Sequence, residues 1–163
     1  MTVWSWLIHL RTGSNLEAWR TGSSTSRPSR SICTFADGEQ KTLHFHLGPL
    51  AKHTVYEAEI VGMILGAELL RREPGKPSAR LCVDNQAAIL ATQSFRTNPG
   101  HYLMDMFHRN LERALIKRDE DHITIHWTPG HADIEGNESA DVEAKKAAGG
   151  LSSPPNNLPN CLR

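Results

Sequence analysis

Three carboxylates in this sequence stand where chemistry is possible: Glu59 in "TVYEAEIVG", Asp84 at the end of "ARLCVD" and Asp141 in "HWTPGHADIEGNESAD". His131, in the same stretch as Asp141, adds a group able to carry a proton near neutral pH. Carboxylates brought close together repel one another and raise each other's pKa unless cations sit between them. Hard oxygen donors that leave coordination positions open suit Mg2+ or Mn2+ rather than zinc, and a pair of such ions can clamp the attacking and leaving oxygens of a phosphodiester. Each acid also has a plainer reading. Helical spacing puts Glu59 on a stripe with Met63, Gly66 and Leu70, where an uncompensated charge is costly; its neighbour Glu57 is explained by a capping box with Thr54. Asp84 precedes a helix and could be its N-cap. Asp141, a turn inside the last helix, could be a solvated acid favoured by the helix dipole.

The elements that must position these groups follow from the local pattern. "TVWSWLIHL" reads as a strand, and the Ser, Thr, Arg and Gly mixture over residues 11–31 as an irregular or degenerate loop. "ICTFADGEQKTLHFHLG" reads as a hairpin about "DGEQ". Thr54 to Arg72 is a long helix, apolar on most sides and closed by basic residues, of the kind that is sandwiched between layers. "ARLCVD" is a buried strand and "NQAAILATQSF" a second helix. A third helix runs from about His101 to Lys117, "ITIHW" is the last strand, and a final helix covers about Asn137 to Ala148. This order implies an α/β fold with a mixed five-stranded sheet and helices on both faces, its site at the carboxyl ends of the strands. Residues 1–148 form the domain; 149–163, "GGLSSPPNNLPNCLR", has the composition of a flexible solvated tail.

Composition narrows the partners. The chain has 163 residues, the size of one domain, and 18 basic against 18 acidic side chains, so any nucleic-acid contact must be local rather than carried by a global basic field. Cys33, Cys82 and Cys161 are odd in number with no close CxxC spacing, which predicts reduced thiols and an intracellular location, cytoplasm or nucleus. No apolar run is long enough to span a bilayer, so no membrane partner is expected.

With those residues in view, "TVYEAEIVG", "LCVDNQAAI" and "IHWTPGHADIEGNESADVEAKKAA" resemble the ribonuclease H family (type 1-like), and more closely the ribonuclease H domains of fungal non-LTR retrotransposons. The tail is also similar to those elements, and the resemblance runs from about Asp37 onward. It implies a ribonuclease H-like fold and a hydrolase: a metal-dependent endonuclease that cuts the RNA strand of an RNA–DNA hybrid, with two Mg2+ (or Mn2+) ions. It further implies that Glu59, Asp84 and Asp141 are metal ligands and catalytic, that His131 assists proton transfer or product release, and that Gly13, Ser14, Gln86 and Asn137 contact the hybrid. Recognition would rest on A-like geometry and 2′-hydroxyls rather than base sequence. The extra basic helix of some relatives is missing, and Val55 and Tyr56 stand where many relatives carry polar contacts, which points to help from a partner such as a reverse transcriptase domain.

The family's fourth carboxylate belongs to an aspartate-glycine-serine pattern at the end of the first strand. Here that place reads Thr12, Gly13, Ser14. A neutral hydroxyl cannot bridge two cations as a carboxylate does, so metal affinity and rate are expected to fall by orders of magnitude. Asp37 is a poor substitute, because only one strand separates it from the Glu59 helix and the motif needs two. The alternative is an inactive ribonuclease H-like remnant that binds nucleic acid or protein. An integrase-like reading of Asp84 with Glu120 leaves the His131 motif unexplained. His44 and His46 share one strand face but lack further zinc ligands. The basic run "RREPGKPSAR" reads as a solvated loop, with phosphate contact as the alternative.

Overall fold

The computed structural model describes residues 6–10, 26–34, 40–49, 51–73, 78–83, 85–94, 101–116, 122–127 and 150–163. Their elements are β1 (Trp6–Leu10), β2 (Ser26–Thr34), β3 (Gln40–Pro49), α1 (Val55–Arg72), β4 (Ser78–Val83), α2 (Gln86–Ala91), α3 (His101–Leu115) and β5 (His122–Trp127), followed by two single-turn 3-10 helices, Pro155–Asn157 and Asn160–Leu162. The architecture is mixed α/β. The strands pair in the order β3-β2-β1-β4-β5. β1, β2 and β3 form an antiparallel meander, and β4 and β5 run parallel to β1. The final helix expected over Asn137 to Ala148 lies outside the described residues.

α1 organises the rest. Thr54 accepts from the Glu57 amide at 3.1 Å while the Glu57 carboxylate accepts from the Thr54 amide at 2.7 Å, the reciprocal capping box that the sequence spacing implies. Every residue from Ala58 to Leu70 is buried, so the helix has no solvent face over its middle turns. It lies against β1, β2, β3 and β4 on one side and against α3 on the other. α3 presents Leu103, Met104, Phe107, Asn110 and Ala114 as its buried face, the spacing of an amphipathic helix. Ile60, Met63, Ile64, Leu65, Leu81, Met104 and Phe107 are the large apolar side chains sealed in the resulting core. No helix among the described residues is long and apolar enough to cross a membrane.

Two segments differ from expectation. β2 begins at Ser26, inside the stretch read as irregular loop over residues 11–31. Ser26–Arg30 lacks strand-forming composition, yet it pairs along β3, so tertiary pairing overrides local propensity. Pro28, which cannot donate a ladder hydrogen bond, sits where the register shifts between Arg27 and Pro28, the kind of irregularity that tolerates proline in a strand. Opposite, Gly48 takes φ +127°, and a Cβ there would meet the His53 ring at 3.1 Å. The closing segment is the second difference. Gly150–Arg163 is docked by a few residues rather than solvated throughout: most of it is exposed, but Leu158 is 4% exposed within the core, with Cys161 and Leu162 packed against it. Cys82 and Cys161 are reduced thiols, neither in a disulfide, as expected for cysteines without a pairing pattern.

Glu68 shows how a buried acid can be wholly structural. It is 2% exposed, and accepts from Arg71 at 2.8 and 2.7 Å and from Arg72 at 2.9 Å. Burial pushes its carboxyl upward, but the hydrogen bonds and charges of both arginines outweigh that and hold it below the ordinary value of 4.5. Arg71 is raised in turn, chiefly by its hydrogen bond to Glu68. At the start of "RREPGKPSAR" these two guanidiniums are thus engaged within the protein. A carboxylate whose pKa is lower folded than unfolded contributes stability that is present above pH 4.5 and lost as pH falls through the folded value. Glu68→Gln should therefore destabilise the protein at pH 7 by about 1.5 to 3 kcal/mol, as expected for hydrogen bonds to charged groups. It should also flatten the loss of stability as pH falls below 4.5, measured by thermal melts at a series of acidic pH values.

Candidate active site

The parallel half of the sheet brings three chain segments to one edge. Leu10 of β1 is in register with Val83 of β4, and Val83 with Trp127 of β5, so the described parts of the three parallel strands share their last register position. Past these ends the sequence continues as "RTGS" after β1, "DNQ" after β4 and "TPGHADIEGNESAD" after β5. In a parallel sheet the carboxyl ends of the strands are where loops gather polar groups, because the faces are covered by helices. Trp127, the last residue of β5, is 44% exposed, which marks where the sheet leaves the core.

Of the residues singled out in the sequence, Glu59 and Gln86 are described. Glu59 lies in the second turn of α1 and is 1% exposed, among the most deeply buried side chains of the core. Helical spacing gave that burial correctly. A carboxylate so placed stays ionised only with compensating charge or hydrogen bonds. Gln86 opens α2 and is exposed, on the turn that directly follows the end of β4. Thr12, Gly13, Ser14, Asp84, His131, Asn137 and Asp141 lie outside the described residues.

The cap of α2 bears on Asp84. Asn85 occupies the N-cap with extended backbone, and its side-chain oxygen accepts from the Ala88 amide at 3.1 Å. The structural role weighed for Asp84 is thus filled by its neighbour. Asn caps as well as Asp does, so the pair "DN" was ambiguous by propensity alone. Sequence reasoning missed Glu68, whose signal was the spacing to Arg71 and Arg72, three and four residues on, the separation of neighbours on a helix surface. Tyr56, noted where relatives carry polar contacts, packs against the core, and burial raises its phenol pKa.

The donor chemistry suits a hard divalent cation: the three carboxylates offer oxygen alone, and Glu59 supplies one of them from a rigid, fully packed helix. Among the described residues no three His, Cys, Asp or Glu side chains cluster into a metal site, and two of the three acids in question fall outside them. Comparison of the chain with protein-family models and with curated proteins gave no match. The adjacent residues Asn85 and Gln86 should separate cap from contact. Asn85→Ala should lower stability by about 1 kcal/mol through loss of the cap. Gln86→Ala, on an exposed side chain, should change stability by less than about 0.5 kcal/mol in the same denaturant titration.

Proposed function

We propose that the chain is a ribonuclease H-type endonuclease that hydrolyses the RNA strand of RNA–DNA hybrids with Mg2+ or Mn2+, weakened by Thr12 at the position of the first carboxylate. The observation that carries the reading is the shared register of Leu10, Val83 and Trp127, because two motifs of the resemblance run through β4 and β5 and on past Val83 and Trp127 in sequence, and the third, with Glu59, lies on the helix packed against the sheet. The mixed five-stranded sheet is the architecture that this family requires. Two strands, β2 and β3, separate β1 from α1, which supports Thr12 as the first-motif position. Asp37 lies between β2 and β3 in sequence, with one strand before α1, and is disfavoured for the same reason.

In this reading Glu59, Asp84 and Asp141 hold the cations, and His131 moves a proton near the scissile phosphate. Gly13, Ser14, Gln86 and Asn137 orient the hybrid backbone; Gln86 has the exposure that such a contact needs. A bound pair of divalent ions supplies an activated water and stabilisation of charge at the phosphodiester. A net charge of zero gives little long-range pull on a polyanion, so grip on the hybrid falls to local contacts and to a partner such as a reverse transcriptase domain. The second reading, an inactive remnant that binds nucleic acid or protein, is favoured by Thr12 alone.

Cleavage of a labelled RNA–DNA hybrid in Mg2+ and in Mn2+ tests both. The unmodified chain is expected to cut slowly, Asp84→Asn to abolish cutting, and Thr12→Asp to raise the rate by at least about 100-fold, more than losing an outer-sphere partner of a metal ligand usually costs. Divalent cation should also raise the melting temperature of Thr12→Asp more than that of the unmodified chain. Silence in all three with hybrid still bound would establish the remnant.

A further inference from the structure

Among the described residues β3 is the longest strand and one edge of the sheet, and its outward amides at His44 and His46 meet hydroxyl groups. The His44 amide donates to Ser153 Oγ at 2.9 Å and the His46 amide to Ser152 Oγ at 2.8 Å. The Ser153 amide returns a bond to the His44 carbonyl at 2.9 Å. Backbone groups two apart on a strand point the same way, so these are successive edge donors that a neighbouring strand would otherwise take. Directly after the serines come Pro154 and Pro155, which have no amide hydrogen to extend the pairing. The segment therefore covers the edge without presenting a new one.

It is held at two further places. Arg72 donates to the Asn156 carbonyl at 3.0 Å and to Asn157 Oδ1 at 3.4 Å, while Glu68 fixes that guanidinium. Leu158 enters the core, and the buried Asn110 amide reaches Cys161 Sγ at 3.3 Å. Apart from the bond from the Ser153 amide to the His44 carbonyl, the anchors involve side chains, and none is part of the ladder between β2 and β3.

We propose that Gly150–Arg163 is an edge guard, closing β3 against pairing with β3 of a second copy of this chain. A second copy is the fitting occupant for three reasons. Antiparallel pairing about His44 and His46 offers each copy the donors and acceptors that the other needs, as a twofold interface requires. Lys41, a charge of the sort that blunts exposed edges, is paired with Glu73. The net charge of zero sets up no repulsion between copies.

The test uses the full chain, with Ser152→Ala/Ser153→Ala and, separately, Leu158→Ser. Amide hydrogen exchange at low protein concentration should quicken roughly three- to tenfold at His44 and His46 in the serine variant, the effect of losing one hydrogen bond each. Exchange at Leu43 and Phe45, whose amides face β2, should hold. Sedimentation should then show dimers forming with rising concentration in both variants and not in the unmodified chain. Unchanged exchange at His44 and His46 in the serine variant would overturn the proposal, as would a serine variant whose two amides are exposed but which stays monomeric at every concentration.

Discussion

The whole arrangement hangs on one helix that has no surface to spare. With every residue from Ala58 to Leu70 buried, α1 cannot trade position with solvent, and its neighbours are defined by how they cover it. The sheet takes one side and α3 another, and the closing segment adds Leu158 to the same core. Apolar residues on all sides of a helix mark it as interior, and two glycines, Gly62 and Gly66, lie among them, the smallest side chains at close-packed positions. A helix fixed this firmly is a good platform for a ligand, because a side chain on it inherits the rigidity of the core.

That platform carries two buried acids in different sequence surroundings. Glu68, near the carboxyl end, is bound by two arginines of its own helix, which also lie where the dipole favours cations. Its charge is neutralised by local sequence. Glu59, two turns earlier, has hydrophobic residues on the sequence positions around it and no arginine or lysine within a helical turn on either side. Glu57 and Asn85 take the cap roles at α1 and α2. With Asn85 filling the cap of α2 and Glu57 closing the capping box of α1, the cap roles open to acids at these two helix starts are taken.

Where the sequence was informative, the signal was periodic and strong. α1 was bounded nearly to the residue because the capping box opens it and Arg71 and Arg72 close it, and β4 and β5 were visible as short apolar runs with turn residues beside them. β2 was half legible: "SICT" reads as strand, but "SRPSR" joins it only because β3 stands beside it, a cause that no window of local sequence contains. The closing segment was misread for a different reason. Its Ser, Pro and Asn content is that of a solvated tail, yet Leu158, Cys161 and Leu162 recur at the spacing of one face, and its prolines reduce the entropy lost when so short a stretch is ordered. The candidate site was legible as residue types and order, and Glu59 also as a buried position; convergence is a property of strand register, which the sequence does not carry.

Register is also what makes Thr12 informative. Because Leu10 and Val83 are register partners, the sequence leaves the described parts of β1 and β4 from equivalent points of the sheet, and in the proposed reading a change of charge in either segment bears on one site. In the ribonuclease H reading proposed above, an acid lost there would weaken cation binding and would also relieve repulsion among the acids left behind. The two effects would oppose one another in stability but not in catalysis, since fewer ligands hold cations less well while the fold loses only a source of repulsion. Under that reading, persistence of the fold and persistence of activity would be decided by different residues: α1 and its covering layers for the first, and the proposed cation ligands for the second.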